Sequence, residues 1–581
     1  MQQKLVFKFL SLLYLVFLFS SIRAQTNPSY DDLIRECEDL IRQRMESDHI
    51  VGLSAAILAD DTVIWKKGFG YADKDSQIPM TVNTVVNIAS VTKTFTALAV
   101  MQLQEKGLLD IDQPLNKYLP QFHPKTREED LDELTIRTVI NHCSGIQTDC
   151  FKNSDLGSGK YTDVLGYINE TYLMYPPGMV ESYSNAGYNI LGHLIKEVSD
   201  QDYSEYIHTN ILLPLGMSSS GFIMDSLKNR TLVYSGGESI HEYGFRDIAS
   251  GGIYTDINDF VKYAQGLMDA FNGTNSSVIK AASVQEMFTL QQDHVLIESN
   301  NKGLGWFMFR NDSLFGVTKA GDGAFGHAEI DLIPGKKAAV MILINSAEGE
   351  SLRRDFCFKV IRHFGLSVPD IIPPPVIREV SKETATISLP DDILKKHAGD
   401  YSQGFSYLTV SLENNALEME RDNKRYVLKP LTENEFVPCE IVRQDSLVEK
   451  TTERYCFMDH GNFHMLFHEA GGKETRLGYR LNTFDPSTIS KRLGVYEHYG
   501  YQLLVGDTKF KGAELYLDND RILMLKLVAE EGEFPFPLNV ISDEYAVTSG
   551  LGGGFDFNVK FMEDERYDIL DFAGLTFRKA R

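Results

Sequence analysis

The sequence predicts an α+β first domain followed by two small all-β barrels. Strand-like runs lie near both ends of residues 28–367 and helical patterns lie between them, which is typical of an antiparallel sheet flanked by helices with a further helical part. Beyond a proline-rich stretch, apolar and polar residues alternate and little helical pattern remains. Similar openings recur at Gly399 and Gly494, 95 residues apart, which favours two similar barrels over one larger sheet.

Composition and the N-terminal segment limit the class of protein to which this chain can belong. The chain has 581 residues, 43% hydrophobic side chains and a formal net charge of −24, which argues against nucleic acid or an anionic membrane as the main partner. Lys4 and Lys8 precede an apolar run, and Ala24 offers a cleavage point. We therefore expect a signal peptide and a secreted or periplasmic protein without an integral membrane span. An uncleaved anchor is the alternative, although the run is shorter than a full span.

The expected organisation follows from these boundaries. It comprises a signal peptide at 1–24, the first domain at 28–367, a linker at 368–384, a β-barrel at 385–482 and a second β-barrel at 490–581. In the first domain, Ser29 is a candidate cap of an amphipathic helix. The other expected elements are a hairpin of 53–58 and 62–67, strands at 306–309, 314–318, 328–333 and 338–344, and a closing helix with Leu352, Phe356, Val360 and Phe364 on one stripe.

The first candidate motif is Ser90-x-x-Lys93, in a strongly apolar stretch that predicts a buried helix ending near Gly107. On a helix both side chains lie on one face, one turn apart. An apolar environment disfavours the ammonium form of lysine, so Lys93 can help to remove the proton of Ser90. This pattern predicts an activated serine nucleophile.

Two later motifs complete a candidate catalytic set. Tyr183-x-Asn185 follows a Pro-Pro-Gly turn, which places the tyrosine on a loop that enters a helix. A tyrosine near lysines can lose its proton below its usual pKa and act as a general base. Lys319-x-Gly321 ends a predicted strand, where the lysine can face a substrate anion and the glycine permits close approach.

None of these motifs is specific by itself, and a packing role is the alternative for Tyr183 taken alone. The same three forms occur again at Ser277-x-x-Lys280, Tyr167-x-Asn169 and Lys66-x-Gly68. Together and in this order, however, the first three resemble the serine β-lactamase and penicillin-binding protein superfamily, and in particular its class C and D-aminopeptidase branch. The resemblance covers roughly residues 30–367 and includes the turns at 142–145 and 250–252.

The resemblance implies the chemical roles of the site. Ser90 would be the acylated nucleophile, and Lys93 would share in accepting its proton. Tyr183 would act as general base and then protonate the leaving group. The N–H groups of Ser90 and Asp322 would form an oxyanion hole, a kind of donor pair worth about 3–4 kcal/mol.

The resemblance also implies how substrate is held. Asn185 would hydrogen-bond the substrate amide, Lys319 would bind a carboxylate, and Gly321 would let the strand approach the substrate. Lys319 stands where many peptidase and esterase relatives carry histidine, which favours a substrate with a carboxylate. His327, in the segment after Lys319, is expected to be structural.

The implied function is an exported serine hydrolase that acts through an acyl-enzyme on D-amino-acid peptides or peptidoglycan fragments. A β-lactamase or esterase of the same fold is one alternative, and a catalytically silent binding protein is another. The expected partner is a small-molecule or short-peptide substrate, with no cofactor and no metal, and the oligomeric state stays open. The β regions are similar to the extra barrels of D-aminopeptidases and to lipocalin-like tails. Residues 550–554 could therefore form a loop that reaches the site, or a loose surface loop.

Six cysteines in an exported chain invite disulfide pairing, but sequence does not fix the connectivity. Six buried free thiols are the alternative. The candidate pairs are Cys143–Cys150, Cys439–Cys456 and Cys37–Cys357.

Overall fold

The computed structural model describes residues 30–127, 131, 133–154, 159–222, 227–242, 246–274, 276–291, 301–311, 313–323, 326–366, 385–443, 446–450, 452–471, 473–499, 504–505, 508–548, 550 and 555–580. Its α-helices are α1 Asp31–Ser47, α2 Thr92–Glu105, α3 Ile136–Ile140, α4 Asp163–Ile168, α5 Asn185–Ser199, α6 Tyr203–Ile207, α7 Ile248–Gly251, α8 Ile257–Phe271, α9 Ala281–Met287, α10 Glu350–His363, α11 Asp391–His397 and α12 Pro486–Ile489.

The strands before the linker form one main sheet and two short ribbons. They are β1 Gly52–Ala59, β2 Thr62–Asp73, β3 Ile78–Pro79, β4 Val86–Asn87, β5 Val233–Ser235, β6 Glu238–Ile240, β7 Tyr254–Thr255, β8 Phe307–Arg310, β9 Phe315–Gly323, β10 Gly326–Ile333 and β11 Ala338–Ile344. The main sheet is antiparallel in the order β3-β2-β1-β11-β10-β9-β8. Strands from the two ends of the domain therefore meet at its centre, as the sequence predicted.

Helices cover both faces of this sheet. Alternate residues of β1 point to opposite faces, so Leu53, for example, packs with α1 and α10, whereas Ala56 packs with the helices around α2. Strands β1, β10 and β11 are buried along their whole length for this reason. Helix α2 is buried from Thr92 to Leu103, which confirms the interpretation of its nearly all-apolar sequence. Gly107 follows it with φ of +69°, as expected of a helix stop.

The C-terminal region forms two antiparallel barrel-like sheets. The first consists of β12 Gly399–Ser402, β13 Tyr407–Glu413, β14 Ala416–Arg421, β15 Lys424–Pro430, β16 Glu435–Arg443, β17 Ser446–Glu449, β18 Glu453–His460, β19 Phe463–Ala470 and β20 Lys473–Arg480. It closes because β16 pairs with both β15 and β18. The second consists of β21 Gly494–His498, β22 Leu504–Val505, β23 Thr508–Asp518, β24 Ile522–Ala529, β25 Glu533–Pro537, β26 Asn539–Val540, β27 Tyr545–Val547, β28 Asn558–Glu563, β29 Tyr567–Phe572 and β30 Leu575–Ala580. It is nearly closed, with β25 and β26 at its two ends.

The recurring sequence opening has a structural counterpart. Each barrel begins with a short helix and a glycine of positive φ, followed by a fully buried tyrosine. The Tyr401 hydroxyl donates to the His397 carbonyl at 2.7 Å, and the Tyr496 hydroxyl donates to the Arg492 carbonyl at 2.6 Å. The same bond, four residues back, thus anchors the first strand of each barrel to the helical turn before it.

The cysteines do not pair. All six are buried free thiols, so the disulfide candidates are absent and the free-thiol alternative holds. Cys37 and Cys357 both lie in the core between α1, α10 and the sheet. Within the described ranges, no helix combines the length and apolar character needed to cross a bilayer. Residues 1–24, Ser29, the linker 368–384 and residues 551–554 lie outside the described residues.

Candidate active site

Ser90 lies in a 3₁₀ turn, Ala89–Val91, that leads directly into α2. The Ala89 N–H donates to Asn87 Oδ1 at 2.8 Å, and Ala89 has φ of +43°, which is uncommon for alanine. Such backbone strain persists only where the surrounding structure imposes it. Ser90 itself is half-buried, so its hydroxyl is accessible at the start of a buried helix.

Lys93 is fully buried, and its amine lies against the nucleophile. The distance from Lys93 Nζ to Ser90 Oγ is 3.0 Å, and the amine also donates to Asn185 Oδ1 at 2.6 Å and to the Ser250 carbonyl at 2.8 Å. Burial lowers the pKa of Lys93 to about 7, against the attraction of two nearby aspartates. A large share of the amine is therefore neutral at neutral pH and can accept a proton.

Tyr183 approaches Ser90 from the loop before α5 and hydrogen-bonds with it. Its ring packs on the His142 ring at a centroid distance of 4.3 Å, and His142 Nδ1 accepts from the Ser184 N–H at 3.1 Å. Burial raises the pKa of Tyr183, and the Ser90 hydrogen bond opposes only part of this shift. This direction is opposite to the one expected from neighbouring lysines, because loss of solvation and the nearby Asp149 and Asp322 carboxylates raise the pKa. The phenol is therefore protonated at neutral pH.

Three lysines surround the Tyr183 ring. The Nζ atoms of Lys93, Lys319 and Lys302 lie 4.9, 5.0 and 5.8 Å from its centroid. Lys302 is paired with Glu181, whereas Lys319 has no ion pair in the described part of the chain. Burial and repulsion from the other two lysines lower the pKa of Lys319 well below its ordinary value. A bound anion would offset both effects.

Asn185 connects the lysine to an aspartate. Its Oδ1 accepts from Lys93, and its Nδ2 donates to Asp149 Oδ1 at 2.9 Å, so both bonds fix the orientation of the amide. Burial raises the pKa of Asp149 to about 7, and the Asn185 bond acts in the opposite direction. A continuous hydrogen-bonded chain therefore runs from Asp149 through Asn185 and Lys93 to Ser90.

Strand β9 passes directly beside the nucleophile turn. A Cβ atom on Gly321 would lie 2.1 Å from the Ile88 carbonyl oxygen and 3.1 Å from the Ser90 backbone nitrogen. Only glycine fits this approach. The sequence predicted that this glycine would let the strand approach the substrate, whereas the close neighbour in the structure is the Ser90 turn of the protein itself.

The Asp322 side chain is occupied within the sheet. It hydrogen-bonds with His327 Nδ1 at 2.7 Å and accepts from Arg353 Nη2 at 3.3 Å. His327 Nε2 lies 2.8 Å from the Ala347 carbonyl oxygen, so both ring nitrogens have partners, in keeping with a structural histidine. The side chain of Asp322 is therefore engaged in these contacts. The oxyanion role that the resemblance implies for Asp322 concerns its backbone N–H.

The repeated motifs lie elsewhere. Ser277 and Lys280 are exposed, and the Ser277 hydroxyl donates to the Pro214 carbonyl at 3.2 Å. The Tyr167 hydroxyl accepts from Asn153 Nδ2 at 3.2 Å. Only the first S-x-x-K and Y-x-N segments meet in a common site.

Sequence reasoning missed two charged residues of this site, Asp149 and Lys302. No spacing rule connects either of them to Ser90. For Asp149 the one available signal was its position shortly after the turn at 142–145, which carries His142 into contact with Tyr183.

The second barrel contacts the loops that carry the site. Asp556, fully buried, accepts from Ser182 Oγ at 2.6 Å and from the Tyr175 hydroxyl. Its backbone carbonyl accepts from the Thr148 N–H at 2.9 Å, and the Thr148 carbonyl in turn accepts from the Asn185 N–H at 2.8 Å. One barrel residue therefore holds both loops that border the nucleophile.

Taken together, the site contains a serine hydroxyl, an adjacent neutral amine, a protonated phenol and buried cations. This set can accept a proton from the serine, donate one to a leaving group and attract an anionic substrate, which is the chemistry of acyl transfer to serine.

Comparisons with solved structures agree on the fold. An octameric penicillin-binding protein homologue from Pyrococcus abyssi aligns with a TM-score of 0.51 and 21% identity, covering 86% of this chain and 99% of that chain. A structure of SurE with D-Leu aligns with a TM-score of 0.52 and 20% identity, covering 77% and 99%.

Comparisons of sequence identify the family. Beta-lactamase-like protein 2 of Dictyostelium discoideum is 26% identical over 256 residues, which are 41% of this chain and 46% of that protein, so less than half of the relative is matched. The Beta-lactamase family model matches residues 37–356, more than half of the 581 residues. This chain therefore belongs to the beta-lactamase family.

Proposed function

We propose that this protein is an exported serine hydrolase that cleaves small peptides with D-residues, or peptidoglycan fragments, through an acyl-enzyme on Ser90. The observation that carries the proposal is the 3.0 Å distance between Lys93 Nζ and Ser90 Oγ, in surroundings that lower the pKa of the amine to about 7. A buried amine with this pKa is a suitable proton acceptor for a serine at neutral pH.

In the acylation step, Lys93 accepts the Ser90 proton while Ser90 Oγ forms a bond to the substrate carbonyl carbon. The carbonyl π electrons move onto oxygen, where the N–H groups of Ser90 and Asp322 stabilise the negative charge. When the carbonyl re-forms, the C–N bond breaks and its electron pair remains on nitrogen. Tyr183 donates its proton to that nitrogen, and the proton held by Lys93 restores the phenol.

In the deacylation step, water attacks the acyl-enzyme carbonyl and the same groups move its protons. Water loses a proton to Lys93, the C–O bond of the ester breaks, and Ser90 Oγ regains a proton. The products are a carboxylic acid and the free enzyme. Lys93 and Tyr183, whose pKa values are well separated, suffice for both steps, because each proton that one of them accepts is later returned.

Charge supports the choice of substrate class. Lys319 is buried and has no ion pair among the described residues, which favours a substrate carboxylate, as peptides and β-lactams carry. The SurE structure contains D-Leu, and by that likeness of fold we propose D-residues in the substrate of this chain. An esterase acting on neutral esters leaves this cation without a function.

The test is labelling with a fluorescent penicillin and mass spectrometry, together with a panel of D- and L-peptides, esters and β-lactams. We expect an adduct on Ser90 or turnover of a D-peptide, and a loss of at least about 10³-fold in kcat for Ser90→Ala. Ser277→Ala is the matched control, since it removes the serine of the second S-x-x-K motif on the surface. Hydrolysis that survives Ser90→Ala would overturn the proposal, and rapid turnover of the penicillin alone would assign a β-lactamase.

Export is a separate part of the proposal and has its own test. The basic, apolar and small-residue pattern of residues 1–24 predicts cleavage before Gln25. N-terminal sequencing of the protein recovered outside the cytoplasm should begin at Gln25. Recovery of the uncleaved chain in membranes would contradict this and favour the anchor.

A further inference from the structure

The charges around Ser90 are not symmetric. Lys319 and Lys302 lie beside the Tyr183 ring, whereas Asp149 lies at the other end of the chain of hydrogen bonds through Asn185 and Lys93. The site therefore presents a positive side and a negative side to whatever is bound at the nucleophile. The resemblance implies that Asn185 hydrogen-bonds the substrate amide and that Lys319 binds the substrate carboxylate. With the carboxylate on the Lys319 side, the part of the substrate that lies next to Asn185 and Asp149 is the acyl part.

Among the described residues, no cation forms an ion pair with Asp149. The one hydrogen bond that its carboxylate accepts there comes from the neutral Asn185 amide. The nearby Arg246 guanidinium pairs instead with Asp247 at 2.6 Å. A carboxylate in such surroundings is costly to ionise, and a bound cation would reduce that cost.

The residues that line this side of the site are partly exposed. Ser90, Tyr183, Asn185 and Asp149 are each half-buried, unlike Lys93 and Asp247, which are enclosed. A substrate that lies along these four residues would bring its acyl part to Asp149. Asp247, by contrast, acts on the site only through the electrostatic field of its carboxylate.

We propose that Asp149 is a specificity-determining residue whose carboxylate binds a free ammonium group on the acyl part of the substrate. With Lys319 on the opposite side, the site then selects short zwitterionic peptides, with an unblocked amine on one side of the scissile bond and a carboxylate on the other. This inference rests on the proposed serine-hydrolase function and adds its substrate class.

The experiment compares substrates that differ only in this charge. The probes are D-alanine p-nitroanilide and glycyl-D-alanine p-nitroanilide, each beside its N-acetyl derivative. In at least one pair we expect the wild type to prefer the free amine by tenfold or more in kcat/KM. Asp149→Asn, which keeps the size and the hydrogen-bonding ability of the side chain, should reduce that ratio to near one.

The ratio separates binding of an ammonium from an effect on the base. If Asp149 acts only by tuning Lys93, its loss slows both members of a pair equally and the ratio persists. Asp247→Asn is the matched control, because Asp247 also acts on Lys93 but does not face the open site. Asp247→Asn should change kcat/KM for the free-amine substrate and for its N-acetyl derivative by the same factor.

Each result decides the matter. A wild type without preference for the free amine, or a preference that survives Asp149→Asn, overturns the inference while leaving the hydrolase intact. If no anilide is cleaved although p-nitrophenyl acetate acylates Ser90, both this inference and the peptidase function fail, and an esterase remains. If acylation of Ser90 itself is absent, the failure lies in the proposed function.

Discussion

At the scale of single residues, burial divides the proton chemistry between two groups. Loss of solvation disfavours the charged form of any side chain, so it lowers the pKa of Lys93 to about 7 and raises the pKa of Tyr183. Near pH 7 the phenol is therefore neutral, and a large share of the amine is neutral as well. One is then ready to accept a proton and the other to donate one, without a charged residue in either role.

The pH dependence of kcat/KM should follow Lys93. Because its pKa is lowered to about 7, the amine is protonated and inactive as a base below that pH and neutral above it. Activity should fall about tenfold per pH unit below pH 6 and level off above pH 8. Asp149 titrates in the same range, so the apparent pKa belongs to the coupled pair. A pH–rate profile with a neutral p-nitrophenyl ester measures this, and a flat profile from pH 5 to 9 would contradict it.

The phenol of Tyr183 should matter most when the leaving group is poor. Tyr183→Phe keeps the ring on His142 and removes only the proton donor. We expect amide hydrolysis to fall by about 10²–10⁴-fold, the usual contribution of a positioned acid. A p-nitrophenyl ester, whose leaving group needs no proton, should lose far less. Equal losses for both substrates would instead assign Tyr183 to activation of Ser90.

Most, but not all, of the residues of this site and their properties were predicted from the sequence. Order and surroundings selected Ser90 over the exposed Ser277, because a buried helix start is readable as an apolar run. The pKa direction of Tyr183 was wrong, since burial depth is a property of the folded chain. Asp149 and Lys302 were not identified, because their nearness to Ser90 depends on loops from separate segments.

At the scale of elements, the nucleophile is positioned by the contact between β9 and the turn before α2. Gly321 provides that contact, with no room for a Cβ against the Ile88 carbonyl. The turn on the other side contains Ala89 at positive φ, held by Asn87. The strand and the strained turn therefore constrain each other, and the Ser90 backbone nitrogen lies close to Gly321.

Gly321→Ala should separate these two elements. The added methyl group would lie 2.1 Å from a backbone oxygen that belongs to the nucleophile turn, so β9 or the turn must shift. We expect a loss of about 10²-fold in kcat, comparable with removal of one oxyanion donor, and a lowered Tm. Gly166→Ala in α4 is the control, because a Cβ there meets no atom within 4 Å. Unchanged kcat in Gly321→Ala would refute the close approach.

The positions of the strands were largely predictable from the sequence, whereas the pairing between strands was less so. Strands expected at 328–333 and 338–344 are found at Gly326–Ile333 and Ala338–Ile344, since alternation and apolar runs are local signals. A sheet built from strands at both ends of the domain was expected, but the specific pairing of β1 with β11 was not predicted. Closure of the first barrel also depends on the pairing of β12 with β20, a long-range contact that no local pattern encodes.

At the scale of the whole molecule, the second barrel supports the loops that carry the candidate site. Asn558 Nδ2 donates to Gln147 Oε1 at 2.9 Å, and Asp556 joins the segments that end at Thr148 and Ser182. Ser182 immediately precedes Tyr183, and the Thr148 carbonyl caps the start of α5 at Asn185. The sequence predicted a barrel of uncertain role, because a buried aspartate far along the chain gives no sign of which loop it will meet.

Asp556→Asn tests whether the barrel positions Tyr183. The substitution removes a charged acceptor from Ser182 and Tyr175, and a weakened buried hydrogen bond of this kind costs about 1–3 kcal/mol. If the loop shifts, proton donation by Tyr183 suffers most, so amide hydrolysis should fall about tenfold or more while p-nitrophenyl ester hydrolysis falls less. A merely destabilised protein would lose both activities in proportion.

Two further variants make this prediction decisive. Asp543→Asn, on an exposed turn of the same barrel, removes a carboxylate that does not contact the loop and should leave the ratio of amide to ester hydrolysis unchanged. In Tyr183→Phe the proton donor is already absent, so adding Asp556→Asn should lower amide hydrolysis little further. Additive losses in the double variant would mean that the barrel acts on the site by another route, such as the Thr148 contact to Asn185. The second barrel would then position the amide of Asn185 rather than the phenol of Tyr183.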